Sequence, residues 1–500
     1  MKTLWQKFVR YFDPIDLTKG PVKKGILRFL GPIALSLLLQ QIYTIVDSMI
    51  VGQTLGEAAV AAVNNATNII FFVLYFAMGA ASGFSVVVGE LIGKKDDSNV
   101  RKCVVNQFYL CLIIDVLLTI FGLLAINPIL GLLGIAPSAT DMTANAVYEN
   151  AFLYLLIIIG GTTTQLFYNQ IVGTLRSFGD SFAPFLFLLG STVLNICLDL
   201  LFIIVFRWGV AGAAIATVLA QGLAAIGCYI YAYIAYPNFR PKKEDFKWNN
   251  RIVIDSLKNG LPMAFSYSVL AIGVLVMQGA IDRFDITPSN EAIEGLPAQL
   301  GYGVGCKMIN FLMAPLNALG TAMISFHSQN LGAKDQKRIQ EGFKASLLIG
   351  LILSLALTTI GLLLTINGAY QYFFLSKDKI SEATIRYGNT YLYSSVPFLI
   401  ILMLLFIFRN TLQGLEKPLF TFIAGASELV ARILTCLFLP LLFTNFAPTN
   451  AASPFIAFVA VCLGDAIAWV FSVIVTIIPT LRGVYTKENK ENIEKLTAKP

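Results

Sequence analysis

Apolar stretches long enough to cross a ~30 Å hydrocarbon layer recur twelve times along the 500 residues, each parted from the next by a short polar break. They run approximately over 27–52, 59–92, 103–130, 143–174, 182–206, 210–236, 252–281, 297–330, 343–368, 384–413, 418–443 and 455–481. Several exceed the ~20 residues that a crossing needs, so tilt or extension beyond the lipid is expected. Composition points the same way: 56% of residues are hydrophobic and 13% charged, about half the ~25% usual in soluble proteins. A soluble surface cannot be built from so few charges. Disordered, collagen-like and nucleic-acid-binding classes are excluded on the same ground. The expected fold is an all-α integral membrane protein with twelve transmembrane helices.

The net charge of +7 is unevenly spread. If both termini are cytoplasmic, 29 of the 36 Lys and Arg residues fall at the inner ends and five in the outer loops: Arg207, Arg283, Lys377, Lys379 and Arg386. Lys307 and Arg432 lie within spans. The bias places both termini in the cytoplasm and the chain in the cell (cytoplasmic, inner) membrane. Met1 to Lys24 carries charge throughout and lacks the features of a signal peptide, so the first apolar run reads as a retained helix.

The two halves repeat each other. Gly31-Pro32 opens span 1 and Leu261-Pro262 opens span 7. Leu-Ile-Gly93-Lys-Lys-Asp96 ends span 2, and Asn-Leu-Gly332-Ala-Lys-Asp335 ends span 8. Asn169-Gln-Ile-Val-Gly173 and Asn410-Thr-Leu-Gln-Gly414 close spans 4 and 10, at offsets of 230, 239 and 241 for the three pairs. Six spans per half is an even number, so both halves enter the membrane from the same side. The chain therefore divides into a cytoplasmic segment 1–26, an N-terminal lobe 27–236, an inter-lobe loop 237–251, a C-terminal lobe 252–481 and a cytoplasmic tail 482–500. The expectation is two pseudo-symmetric six-helix bundles that rock about a cleft, joined by a flexible loop. No GxxxxGK[ST] motif supplies nucleotide energy, so uphill transport must draw on an ion gradient.

Coupling to an ion needs polar groups held inside the membrane, where an ionisable side chain is costly and functional by default. Asp47 on span 1 and Asp199 on span 5 are the leading pair. Asn195 stands four residues before Asp199, on the same helix face, and Thr217 lies on span 6. Two carboxylates, an amide oxygen and a hydroxyl suit a small hard cation such as Na⁺. The same carboxylates are alternatively proton carriers, and helix–helix hydrogen bonding is the plain alternative for all four.

Other intramembrane polar residues read as structural. Glu428 and Arg432, four apart on span 11, form a salt bridge. Asp115 and Asp465 pair locally, and Lys307 partners an acid or repels cations. Glu90 and Gln329 cap the inner ends of spans 2 and 8, and His327 is a satisfied buried histidine. With one histidine in the chain, no multi-histidine metal site can be built. The seven scattered cysteines, with no CxxC, read as small buried hydrophobes.

These residues resemble the multidrug and toxic compound extrusion (MATE) family, of the bacterial and archaeal type with a cation site in the N-terminal lobe. The matching segments are Pro32 with Gln40-Gln-Ile-Tyr-Thr-Ile-Val-Asp47-Ser-Met-Ile-Val-Gly52, Gly173-Thr-Leu-Arg-Ser-Phe-Gly179-Asp180 with Pro184, Asn195-Ile-Cys-Leu-Asp199, and Trp208 to Thr217. Gln329-Asn-Leu-Gly-Ala-Lys-Asp335 echoes them in the second half. The resemblance implies a secondary antiporter, not an enzyme, that exports organic and often cationic compounds in exchange for H⁺ or Na⁺. It implies cation coupling at Asp47, Asn195, Asp199 and Thr217. No cofactor is expected beyond the coupling ion, and the expected partners are a small organic substrate and membrane lipid, with no nucleic acid and no obligate protein. Asp255 and Asp282 merely bracket span 7, and span 10 has no central acid, so no coupling site is expected in the C-terminal lobe. The alternative is a flippase for a lipid-linked sugar or a specific metabolite.

Overall fold

A computed structural model describes residues 13–55, 57–132, 142–375 and 380–485, with no side-chain account of Ser48, 56–71 or 132–144. The first twelve residues, the last fifteen, and Lys377 and Lys379 lie outside the described residues. Among those described the chain is helical, with one isolated β-bridge between Ile286 and Ala292.

Eleven stretches are long and apolar enough to cross a membrane, and a twelfth is a pair of helices bent by 44°. In order they are α1 (Val22–Leu55), α2 (Glu57–Gly93), α3 (Asp97–Leu132), the bent pair α4 (Met142–Gly160) and α5 (Thr162–Ser177), α6 (Phe182–Asp199) and α7 (Gly209–Ala235). The second half follows with α8 (Asn250–Asp282), α9 (Pro297–Gly332), α10 (Gln336–Leu364), α11 (Glu382–Ser395) running into α12 (Leu399–Gly414), α13 (Pro418–Phe438), and α14 (Phe455–Cys462) leading to α15 (Gly464–Tyr485). The twelve expected spans are all present. α4 and α5 break at Gly160-Gly161, where two residues without a side chain relax the helix.

Duplication shows in the backbone as well as the sequence. After α2, Lys95 turns left-handed (φ 58°) and Asp96 N–H donates back to Leu91 C=O at 3.1 Å. After α9, Lys334 (φ 59°) and Asp335 N–H to Asn330 C=O at 3.0 Å repeat the turn. Gly179 and Asp180 after α5, and Glu416 and Lys417 after α12, do so again. A left-handed residue with a six-residue back-bond terminates a helix firmly, by satisfying carbonyls the helix leaves open.

By contact the chain forms two compact units. One runs to Ser268 and takes in Ser328–Asp335; the other comprises Val269–His327 and the chain from Gln336 onward. In the first unit α2 crosses α8 and the end of α9 at glycines. A Cβ on Gly83 would lie 2.4 Å from Asn259 C=O, one on Gly93 2.0 Å from Gln329 C=O, and one on Gly332 2.0 Å from Glu90 C=O. The last two contacts are reciprocal, so each helix end needs the other's glycine. Gly93→Val and Gly332→Val should each force α2 and α9 apart there. Cysteine cross-linking of the two helix ends, efficient in the parent, should drop several-fold in either variant.

The loop over 237–251 lies within the first unit and is tied down rather than flexible, which corrects the expectation from its polar composition. Asp245 is buried, accepts from Lys242 N–H at 2.9 Å and pairs with Arg101 of α3 at 3.0 Å. Asn106, also on α3, accepts from Asn249 N–H at 2.8 Å. Burial raises the Asp245 carboxyl, but Lys242 N–H and the Arg101 guanidinium outweigh it and hold the group below the usual carboxylate range. A depressed carboxylate contributes its stabilisation in full above its unfolded value of about 3.9 and loses it as pH falls through the folded value. The anchor is therefore intact at neutral pH.

Candidate cation-coupling site

Asp180 sets where the site begins. It follows the left-handed Gly179, where any Cβ would meet Ile15 C=O at 1.9 Å. Its Oδ1 accepts from the Phe182 and Ala183 N–H groups at 3.1 and 3.0 Å, capping α6, and its Oδ2 accepts from the Tyr231 and Tyr236 hydroxyls at 2.9 and 2.8 Å. Charge-assisted bonds at a helix N-terminus are strong ones. The start of α6 is thus fixed to the end of α7, and the side chains about four to five turns further along α6 have a fixed height. Asp180→Ala would leave two helix N–H groups and two hydroxyls without their acceptor, costing on the order of 2–4 kcal/mol. The expected result is a clear fall in thermal midpoint and folded yield, read by size-exclusion chromatography in detergent.

The four residues expected to bind the cation converge. Asp199, the last residue of α6, is fully buried, and Asn195 is buried one turn before it. With its NH₂ toward the acid, Asn195 donates to Asp199 Oδ2 at 2.9 Å and accepts from Thr217 N–H at 3.2 Å. The opposite amide orientation gives only a 3.4 Å contact to Thr217 Oγ1, so the first satisfies the group better. Asp47 of α1 comes within hydrogen-bonding reach of Asp199. Two carboxylates this close repel unless a proton or cation stands between them. Asp47 Oδ1 and Asp199 Oδ1 are each buried without a hydrogen-bond partner. Both acids therefore keep an oxygen free for a ligand.

Two features escaped the sequence reading. Tyr43 on α1 brings its hydroxyl 3.2 Å from Thr217 Oγ1, closing the cluster on a third side. The signal was present: Tyr43 lies four residues before Asp47, hence on the same face. Directly after Asp199 the helix widens into a π-helix over Leu200–Val205. Such wide turns are rare, cost stability and recur at functional sites. No local sequence signal marks this one.

The remaining polar residues settle as follows. Asp115 accepts from Thr162 Oγ1 at 3.0 Å and from the Thr163 hydroxyl, at the break between α4 and α5, so it is structurally paired. Glu428 and Arg432 pair at 3.2 Å as expected, and Asp465 of α15 joins them at 2.8 Å while accepting from Tyr391 OH at 2.8 Å. Glu90 pairs with Lys94 one turn on. Two expectations need correction. Gln329 does not cap its own helix: it accepts from Leu17 N–H at 3.1 Å and donates to Ser177 C=O at 2.7 Å, linking three segments. His327 is buried, but neither ring nitrogen has a hydrogen-bond partner, because Phe326 and Gly414 pack around it. Lys307 has no acidic partner among the described residues. Groups of three or more His, Cys, Asp or Glu able to hold a metal are likewise absent among them.

Twelve helical spans and a pair of acids held together within them define a membrane transporter. The chain belongs to the MatE family, whose model matches residues 32–201 and 300–438. It is similar to two probable multidrug resistance proteins of Bacillus subtilis (strain 168). YpnP is 29% identical over 327 residues, 65% of this chain and 68% of that protein; YoeA is 25% identical over 414 residues, 76% and 84%. A crystal structure of MATE in complex with MaL6 has the same fold, with a TM-score of 0.81, 20% identity and coverage of 96% of this chain and 99% of that one.

Proposed function

We propose that the protein exports small organic compounds across the cell membrane in exchange for inward-moving H⁺ or Na⁺. Similarity to YpnP and YoeA supports the export of drug-like compounds. The coupling role rests on one observation, the two orphaned oxygens of Asp47 and Asp199 in a buried cluster with Asn195, Thr217 and Tyr43. As cargo, a proton would bridge the two carboxyls, and Na⁺ would take both free oxygens. Either neutralises the repulsion that otherwise works to separate α1 from α6. Antiport then needs only that cation and substrate favour different states by a few kcal/mol.

The division into N- and C-terminal six-helix lobes, with both termini cytoplasmic, belongs to the same proposal. In it the reciprocal crossing of α2 and α9, beside Lys94, Lys95 and Lys334, is a contact that parts when the inward-facing state forms. The deciding experiment is efflux of a fluorescent organic compound from proteoliposomes under separately imposed Na⁺ and H⁺ gradients. Export driven by one gradient names the ion. No movement under either, from monodisperse protein, would sink the antiport reading.

A further inference from the structure

α9 carries a polar stripe that the export cycle described above does not use. Gly303, Lys307, Asn310, Ala314, Asn317 and Thr321 follow one another at intervals of three or four, so they share one helix face. Lys307 and Asn310 are exposed, Gly303, Asn317 and Thr321 are half-buried, and Ala314 is a small buried residue within the line. The stripe extends for about 27 Å at 1.5 Å per residue, nearly the depth of the hydrocarbon layer. Lys307 begins about 15 Å from the start of α9.

A lipid-facing position for this stripe is untenable. A lysine near a helix end can snorkel to the interface, but asparagines three and ten residues deeper cannot. Each amide turned toward hydrocarbon without a partner costs several kcal/mol. Neither Asn310 nor Asn317 makes a side-chain hydrogen bond among the described residues, so the face is wetted by water or by a polar ligand. A lipid headgroup would meet one end of the stripe and leave its length unused.

The charge balance of the same unit gives the ligand's sign. Arg432 is matched by Glu428 and Asp465, and Arg409 also faces Glu428, at 3.9 Å. Lys307 is left unmatched within its span. A cation on a wetted intramembrane face with no protein counter-charge repels organic cations and attracts anions. Phe311 beside it offers aromatic surface to an organic body.

The geometry points to a substrate-recognition surface for organic anions, in which Lys307 receives a carboxylate or similar oxyanion and Asn310 and Asn317 supply hydrogen bonds. This inference rests on the export reading and narrows its substrate class, away from the cations that the family resemblance implied.

The test compares two xanthene dyes of similar size and opposite charge, fluorescein and rhodamine 123. Their equilibrium binding to detergent-purified, monodisperse protein is followed by fluorescence anisotropy. The parent protein should bind fluorescein more tightly. Lys307→Gln should weaken that binding at least tenfold, Lys307→Arg should retain most of it, and rhodamine binding should be unchanged or improved in Lys307→Gln. A parent protein that binds no fluorescein, or a Lys307→Gln variant that loses both dyes equally or neither, overturns the proposal. Binding needs no gradient. Proteoliposomes that then move neither dye would count against the export reading alone, since the anion preference is read from binding.

Discussion

Asp199→Asn should bring gradient-driven efflux down to the level of empty liposomes, a loss of a hundredfold or more, while leaving the protein folded. The substitution keeps the shape of the side chain and its place beside Asn195 and Thr217. It removes the charge that makes the acid pair hold a cation, and the group can no longer carry a proton. Asp47→Asn should have a comparable effect, because the site depends on the proximity of two carboxyls rather than on either alone. The double variant should be no worse than either single one, as expected for residues acting as a unit. Efflux in Asp199→Asn proteoliposomes at the parent rate would show that coupling lies elsewhere. Tyr43→Phe gives a graded comparison: it removes one hydroxyl from Thr217 and should reduce transport only a few-fold.

The second large effect concerns folding. Arg432 stands between Glu428 and Asp465, all three buried, and α8 makes room for it with Gly273, where a Cβ would come within 2.5 Å of the guanidinium. Arg432→Met would strand the Asp465 carboxylate in the interior and leave Glu428 with Arg409 alone, at 3.9 Å. Breaking a buried pair from one side costs about 3–5 kcal/mol, a large part of the roughly 5–15 kcal/mol that keeps a protein folded. The variant should lose most of its monodisperse yield and melt on the order of 10 °C lower. Adding Asp465→Asn should recover much of the loss, since the stranded carboxylate is then neutral while Glu428 keeps Arg409. A single Arg432→Met variant that folds normally but no longer transports would instead assign the cluster to the transport cycle.

What could be read from the chain, and what could not, follows from the range of each signal. Span number rests on runs of twenty or more apolar residues, and Asn195 with Asp199, or Glu428 with Arg432, rests on a four-residue spacing. Both signals are local. Asp465 lies 33 residues from Arg432 on another helix, and Tyr231 and Tyr236 lie more than fifty from Asp180. Nothing in the intervening sequence records those meetings. The π-helix after Asp199 is hidden for another reason, because its residues, Leu200 to Val205, would suit an α-helix equally well. The loop at 237–251 was misread because polar composition reports exposure on average, whereas Asp245 and Asn249 each have one specific partner on α3.

The bonds from Gln329 and Asn330 to Leu17 carry a consequence for biosynthesis. They join α9 side chains to a backbone more than 300 residues away, so the segment ahead of α1, bonded earlier through Ile15 N–H to Gly179 C=O at 3.0 Å, is not fully seated until α9 has left the ribosome. At about 5–20 residues per second this delay is on the order of 15–60 seconds. Through that interval the first helices sit in the bilayer with their leading segment incompletely anchored. A chain stopped anywhere before α9 should therefore be cut more readily around Leu17, which is buried once synthesis is complete.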